Sequence, residues 1–148
     1  MSNYSVLWQA IWPDLCSFYD SSHYDFMNNK TTSNALKARL HAYQLFLIEL
    51  VADKYRRNHS SPMNQLEGIS ALHHMVFSKT NMKPSDIKSL GLNDLVFVLL
   101  DDIVPDHLPA EAQSYLKTLL STEWLPKIDF ESYAGWEIGS GSRFLKIE

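Results

Sequence analysis

The sequence predicts a mainly helical, single-domain protein over residues 1–148, a bundle of about five to six helices with a short C-terminal β-hairpin or extended tail. Three observations carry this. Apolar residues recur at three and four through a long stretch, "NALKARLHAYQLFLIELVADKYRR" at 34–57. Proline, glycine and serine signals divide the rest into helix-sized segments. An apolar content of 45% over 148 residues supplies a core without staples, since a chain of this size buries roughly 68–70% of its unfolded surface.

Residues 4–20 place Val6, Leu7, Ala10 and Ile11 at helical spacing. Pro13 has no N–H and clashes with the preceding turn, so it predicts a break or kink, with the helix resuming through Leu15, Phe18 and Tyr19. The polar run "SSHYDFMNNKTT" at 21–32 reads as loop. In 34–57, Leu36, Leu40, Tyr43, Leu47, Leu50 and Val51 form a stripe. Leu45, Phe46 and Ile48 widen it almost around the helix, the pattern of a central element. Ser33 is placed to cap its start, and Lys54, Arg56 and Arg57 suit its carbonyl end.

Next, "SSPMNQLEGISALHHMVFSK" predicts a helix opened by Ser61 and Pro62, with Met63, Leu66, Ile69, Leu72 and Val76 on its buried face. Gly68 inside it costs about 1 kcal/mol relative to alanine and would permit a close helix crossing. Pro84 opens a short helix and Gly91 stops it. Asn93 then caps a helix over 94–104. Val96, Phe97 and Val98 also suit a buried strand, but the cap and the helical neighbours favour helix. Pro109 starts a helix over 109–121, with Ala112, Tyr115, Leu116 and Leu119 on one side. In the tail, apolar-rich runs at 136–138 and 143–147 flank "GSGS", the pattern of a small hairpin or an ordered extended tail.

The net charge is −4, unevenly spread. Residues 1–85 carry eight Lys/Arg against six Asp/Glu, and residues 86–148 carry five against eleven. Such polarity bears on partner choice and association rate, not on fold. No apolar run reaches the length of a membrane span, and "MSNYSVLWQAIW" lacks the cationic start and cleavage site of a secretory signal. Cys16 is the single cysteine, so no internal disulfide forms. The expectation is a soluble, cytoplasmic protein with no membrane partner.

"FVLLDDIVPDHLP" at 97–109 concentrates candidate chemistry: Asp101, Asp102, Asp106 and His107 where an apolar segment ends. At the end of a helix over 94–104, Asp101 and Asp102 would oppose the helix dipole, at a cost of about 0.3–1 kcal/mol each. Neighbouring residues on a helix point about 100° apart, so the pair does not converge on one ion unaided. His73 and His74 likewise diverge, and the H-E-x-x-H zinc pattern is absent. His41 could approach His73 across a helix pair. Cys16 beside Leu15 reads as an inert buried thiol. No nucleophile elbow or phosphate-binding glycine loop occurs, and "GSGS" lacks the Walker lysine. The basic cluster "KYRRNH" at 54–59 sits in a chain whose pI is near 5.8, far from the signature of a dedicated nucleic-acid binder.

Together these features predict a protein that binds another protein and performs no catalysis, with no cofactor and no metal. The profile looks like that of a bacterial toxin-immunity protein, an inhibitor that neutralises a basic toxin or nuclease through an acidic surface. The likeness is of kind, without an aligned motif. Asp101, Asp102, Asp106, Asp129 and Glu131 are the expected acidic face, and Tyr133 and Trp136 the expected aromatic anchors. Two rivals come from other classes. One is a small metal-dependent hydrolase using His41, His73 or the 101–107 acids. The other is a phage-type regulator contacting DNA through Lys54, Arg56 and Arg57.

Overall fold

A helix apolar on most of its faces must be surrounded, and that requirement organises the structure. The computed structural model describes residues 3–19, 33–119, 128–133 and 135–145. Among them are six α-helices, which we label α1 (Tyr4–Phe18), α2 (Ser33–His59), α3 (Ser70–Thr80), α4 (Pro84–Lys88), α5 (Leu92–Val98) and α6 (Ala110–Leu119). Short 3₁₀ turns occur at Pro105–His107, Phe130–Ser132 and Ser140–Phe144. The chain is mainly helical, as the periodicity predicts. No described helix is long and apolar enough to cross a membrane.

In α2 every residue from Leu45 through Ala52 is buried, Glu49 included. No face is left for solvent over those two turns. α1 packs along α2 and buries Leu7, Trp8, Ile11, Trp12 and Leu15. The Trp8 ring meets Phe46 edge-on at 5.9 Å and stacks on Trp12 at 5.6 Å. The Arg39 guanidinium lies 5.7 and 5.6 Å from the two indole centroids, and its Nε donates to the Leu119 carbonyl. One side chain thus ties α1, α2 and the end of α6.

Several boundaries differ from the sequence expectation. α1 does not break at Pro13; the helix runs through it from Tyr4 to Phe18. Leu7, Trp8 and Ile11 before Pro13 and Leu15 and Cys16 after it are all buried, and packing on both sides of the proline outweighs the lost backbone bond. The helix expected from Ser61 begins only at Ser70. Ser61 and Asn64 instead exchange backbone hydrogen bonds across a tight turn, at 2.9 and 3.0 Å. Leu66 and Gly68 take positive φ, 51° and 60°. Arg56 holds this path, donating from Nε to the Leu66 carbonyl (2.8 Å) and from Nη2 to the Gly68 carbonyl (3.0 Å). The Leu66 side chain is buried in return for its strained backbone. Met63, expected on a buried face, is 97% exposed at the turn's tip.

α5 is shorter than expected. It ends at Val98, and the amides of Asp102 and Ile103 both turn back to the Leu99 carbonyl at 2.9 Å. Asp101 and Asp102 therefore lie in a turn beyond the helix and not in its last turn, which removes most of the expected dipole penalty. The described tail forms no strand, so the hairpin is not present there. Gly139 has φ 92°, and "GSGS" enters the Ser140–Phe144 turn. The expected loop at 21–32 and the end of the helix expected over 109–121 lie outside the described residues.

Pro13 supplies a test of the packing argument. Pro13→Ala restores an N–H to the Gln9 carbonyl, and we expect it to raise the unfolding free energy by about 1–3 kcal/mol in urea titrations. A loss of stability would show that the ring's packing outweighs the missing bond.

Candidate functional site

α5 is a seven-residue helix, and a helix that short buries a single stripe. Leu95 and, at its C-cap, Leu99 point inward and are fully buried. The opposite side carries Phe97, 78% exposed, and the turn after it carries Leu100, 62% exposed. Asp94 precedes Phe97 by three residues, one turn back on the same side of the helix, and Asp101 lies in the turn beyond its end. Asp94, Asp101 and Asp106 are exposed. Asp102 accepts from Lys79 Nζ at 3.0 Å, a pair with both side chains about 40% exposed (40% and 43%), worth roughly 0–1 kcal/mol.

The other two acids arrive from the tail. Asn93, expected as a helix cap, bridges instead. Its Nδ2 donates to Asp129 Oδ1 at 2.7 Å and Glu131 Oε2 at 2.8 Å, and its Oδ1 accepts from the Phe130 amide at 2.9 Å. Glu131 lies over Gly91, where an added Cβ would sit 2.2 Å from Oε1. That crowding gives Gly91 its place at the start of α5, in an extended conformation and not as a left-handed helix stop. Asp129 and Glu131 therefore stand at the first end of α5, with Asp101 and Asp102 past the second, about 10 Å away along the axis. Asp106 follows in the 3₁₀ turn with exposed His107, whose carbonyl accepts from Lys54 Nζ.

Tyr133 and Trp136 pack against the body. Tyr133 is half-buried, with its ring 5.0 Å from Phe18 and 5.9 Å from His41. Trp136 is half-buried, stacks on Phe144 at 6.3 Å and donates from Nε1 to Glu49 Oε1 at 2.9 Å. The amides of Gly139 and Gly141 donate to Oε1 and Oε2 of the same carboxylate, at 2.8 and 3.1 Å. The "GSGS" segment is thus an anion cradle, and its anion is a side chain of the central helix. Burial pushes the Glu49 pKa up, and the three donors and Arg56 counter it.

The metal-site candidates are separated. His41 is fully buried; its Nδ1 pairs with the Tyr19 hydroxyl at 2.9 Å, and its Nε2 has no partner among the described residues. Burial depresses its pKa to about 4, against a smaller opposing pull from Asp129. His74 pairs through Nδ1 with the Tyr55 hydroxyl at 2.6 Å, about 20 Å further along α2 than His41. The expected approach of His41 to His73 therefore does not occur. No group of three or more His, Cys, Asp or Glu among the described residues could hold a metal. Cys16 is buried in α1. Of the basic cluster, Arg56 and Arg57 pair with Asp53 at 3.6 and 2.9 Å, and Arg57 also donates to the Leu145 carbonyl at 3.0 Å. No family model, characterised protein or solved structure matches this chain.

Phe97, Leu100 and Asp94 are absent from the sequence expectation, which counts Phe97 among residues suited to burial. The missed signal is the unbroken run Leu95–Leu100: over a helix that ends at Val98 and the turn after it, six consecutive apolar residues cannot all turn inward. Glu49 is missed as a tail ligand because its donors lie about ninety residues away, at Trp136, Gly139 and Gly141.

Two outcomes follow. Glu49→Gln sets an amide NH₂ against one of the three donors, and we expect a loss of about 1–3 kcal/mol with a changed Trp136 emission. Unchanged stability would refute the cradle. His41 is neutral when folded and has a depressed pKa, so the unfolded chain binds the extra proton. Stability is then present above pH 6.5 and falls as pH drops toward 4, by about 2–3 kcal/mol. Glu49, with its raised pKa, works in the opposite sense. The His41 share is therefore read as the difference between wild type and His41→Phe in denaturation at each pH.

Proposed function

We propose that the protein acts by occupying a basic protein partner, as an immunity-type inhibitor of a toxin or nuclease domain, through the acidic and apolar face of α5. The observation that supports this reading is the exposure of Phe97 and Leu100, at 78% and 62%, among Asp94, Asp101 and Asp106. An apolar anchor inside a charged rim is the arrangement in which a few desolvated side chains supply most of the affinity. Burying Phe97 contributes on the order of 1.5–3 kcal/mol. The carboxylates, with Asp129 and Glu131 at the near end of α5, set the sign of partner that is drawn in and speed its approach.

The two parts of the face have separable signatures. Against a basic partner recovered from the native host, Phe97→Ala should raise the dissociation rate about tenfold or more, a change of about 1.4 kcal/mol. Asp101→Lys with Asp102→Lys should slow association and flatten its salt dependence. Surface plasmon resonance at several salt concentrations measures both. Binding that ignores the aromatic truncation and the charge reversal alike would sink the proposal.

A further inference from the structure

A separate cavity of about 170 Å³ opens where the first turn of α1, the last turns of α2, the start of α6 and Leu145 of the tail meet. Its walls are the side chains of Leu50, Leu108, Ala112 and Leu145, all buried, with Tyr4 half-buried beside them. Its mouth is polar. Lys54 and Asn58 are exposed, and the Arg57 side chain is 51% exposed. The size has a physical meaning: an apolar cavity of roughly 150 Å³ in another protein admits benzene.

The charge at the mouth is positive. Asp53 also lines the cavity, but it is shared by Arg56 and Arg57 at 3.6 and 2.9 Å. Lys54 is bonded to the His107 carbonyl, a neutral acceptor that does not cancel its charge. The exposed acids on the adjoining turn and helix are Asp106 and Glu111. Buried hydrocarbon walls with a few converging polar groups at one end are the usual build of a small-molecule site. We infer that this cavity binds a small monocarboxylic acid whose apolar part is about the size of a benzene ring. The apolar part of the acid lies against Leu50, Leu108, Ala112 and Leu145, and its carboxylate meets Lys54 and Arg57 through charge-assisted hydrogen bonds. The α5 face is not involved, so this inference stands whatever the fate of the partner-binding proposal.

Three probes with one ring separate charge from shape: benzoate, benzyl alcohol and benzylamine. Titrated into isotope-labelled protein at low salt, benzoate should give saturable amide shifts around residues 50–58 and 108–112. Benzyl alcohol should bind about tenfold more weakly, and protonated benzylamine should give no saturable shift. Lys54→Gln should weaken benzoate about tenfold, and Ala112→Leu should fill the cavity and abolish binding. If Ala112→Leu does not fold, as judged by circular dichroism, the Lys54→Gln arm decides alone. Equal binding of the three probes, absence of saturable benzoate shifts, or full benzoate affinity in folded Lys54→Gln would each overturn the inference.

Discussion

A carboxylate buried in the middle of the central helix is the constraint on which the rest of this structure rests. Glu49 is 1% exposed, and its nearest partners are the indole of Trp136 and the amides of Gly139 and Gly141. An ionised carboxylate taken from water costs far more than a neutral group unless its lone pairs are filled. Here the tail fills them. The geometry leaves no slack: a Cβ on Gly141 would stand 2.7 Å from Glu49 Oε2, and one on Gly139 would stand 2.1 Å from the Gly68 carbonyl carbon. Gly139 also takes a φ of 92°. Both glycines are therefore requirements of close approach. The tail, the loop before α3 and the central helix meet at this one anion.

The cations one to two turns further along α2 extend the same logic. Arg56 gathers the carbonyls of Leu66 and Gly68, Arg57 that of Leu145, and Lys54 that of His107. Each base reaches a different segment. The carbonyl end of a helix favours positive charge in any case, so these side chains serve the helix and its neighbours at once. Nucleic-acid contacts from this cluster would have to compete with those bonds for Arg56, whose side chain is only 12% exposed. Lys54 and Arg57 keep solvent access, and that access defines the mouth of the small cavity.

Local signals were legible where local forces decide. The three-four spacing of Leu36 to Val51 marked α2, and Pro84 marked α4. Signals failed where a distant group overrode them. Ser61 and Pro62 looked like a helix start, but Arg56 holds the following residues in a turn. "GSGS" between apolar runs looked like a hairpin, but its amides answer to Glu49. Asn93 looked like a cap, yet it binds Asp129 and Glu131, more than thirty-five residues on. Pro13 looked like a break, but the seam between α1 and α2 spans it. In each case the deciding partner is remote in sequence, and periodicity carries no information about it.

The exposed side of α5 poses the opposite problem, a group left without an internal partner. Burying Leu95 and Leu99 fixes the rotation of the helix, and Phe97 must then face water whatever its chemistry. Folding alone would be served as well by a lysine or glutamate at that position. An apolar patch in water also invites self-association. Here two copies bringing Phe97 and Leu100 together would set Asp94 and Asp101 of one against those of the other. That repulsion disfavours the homotypic contact, while the same carboxylates favour a cationic surface. On the proposed reading, this face would select its partner by charge while the apolar anchor stays free.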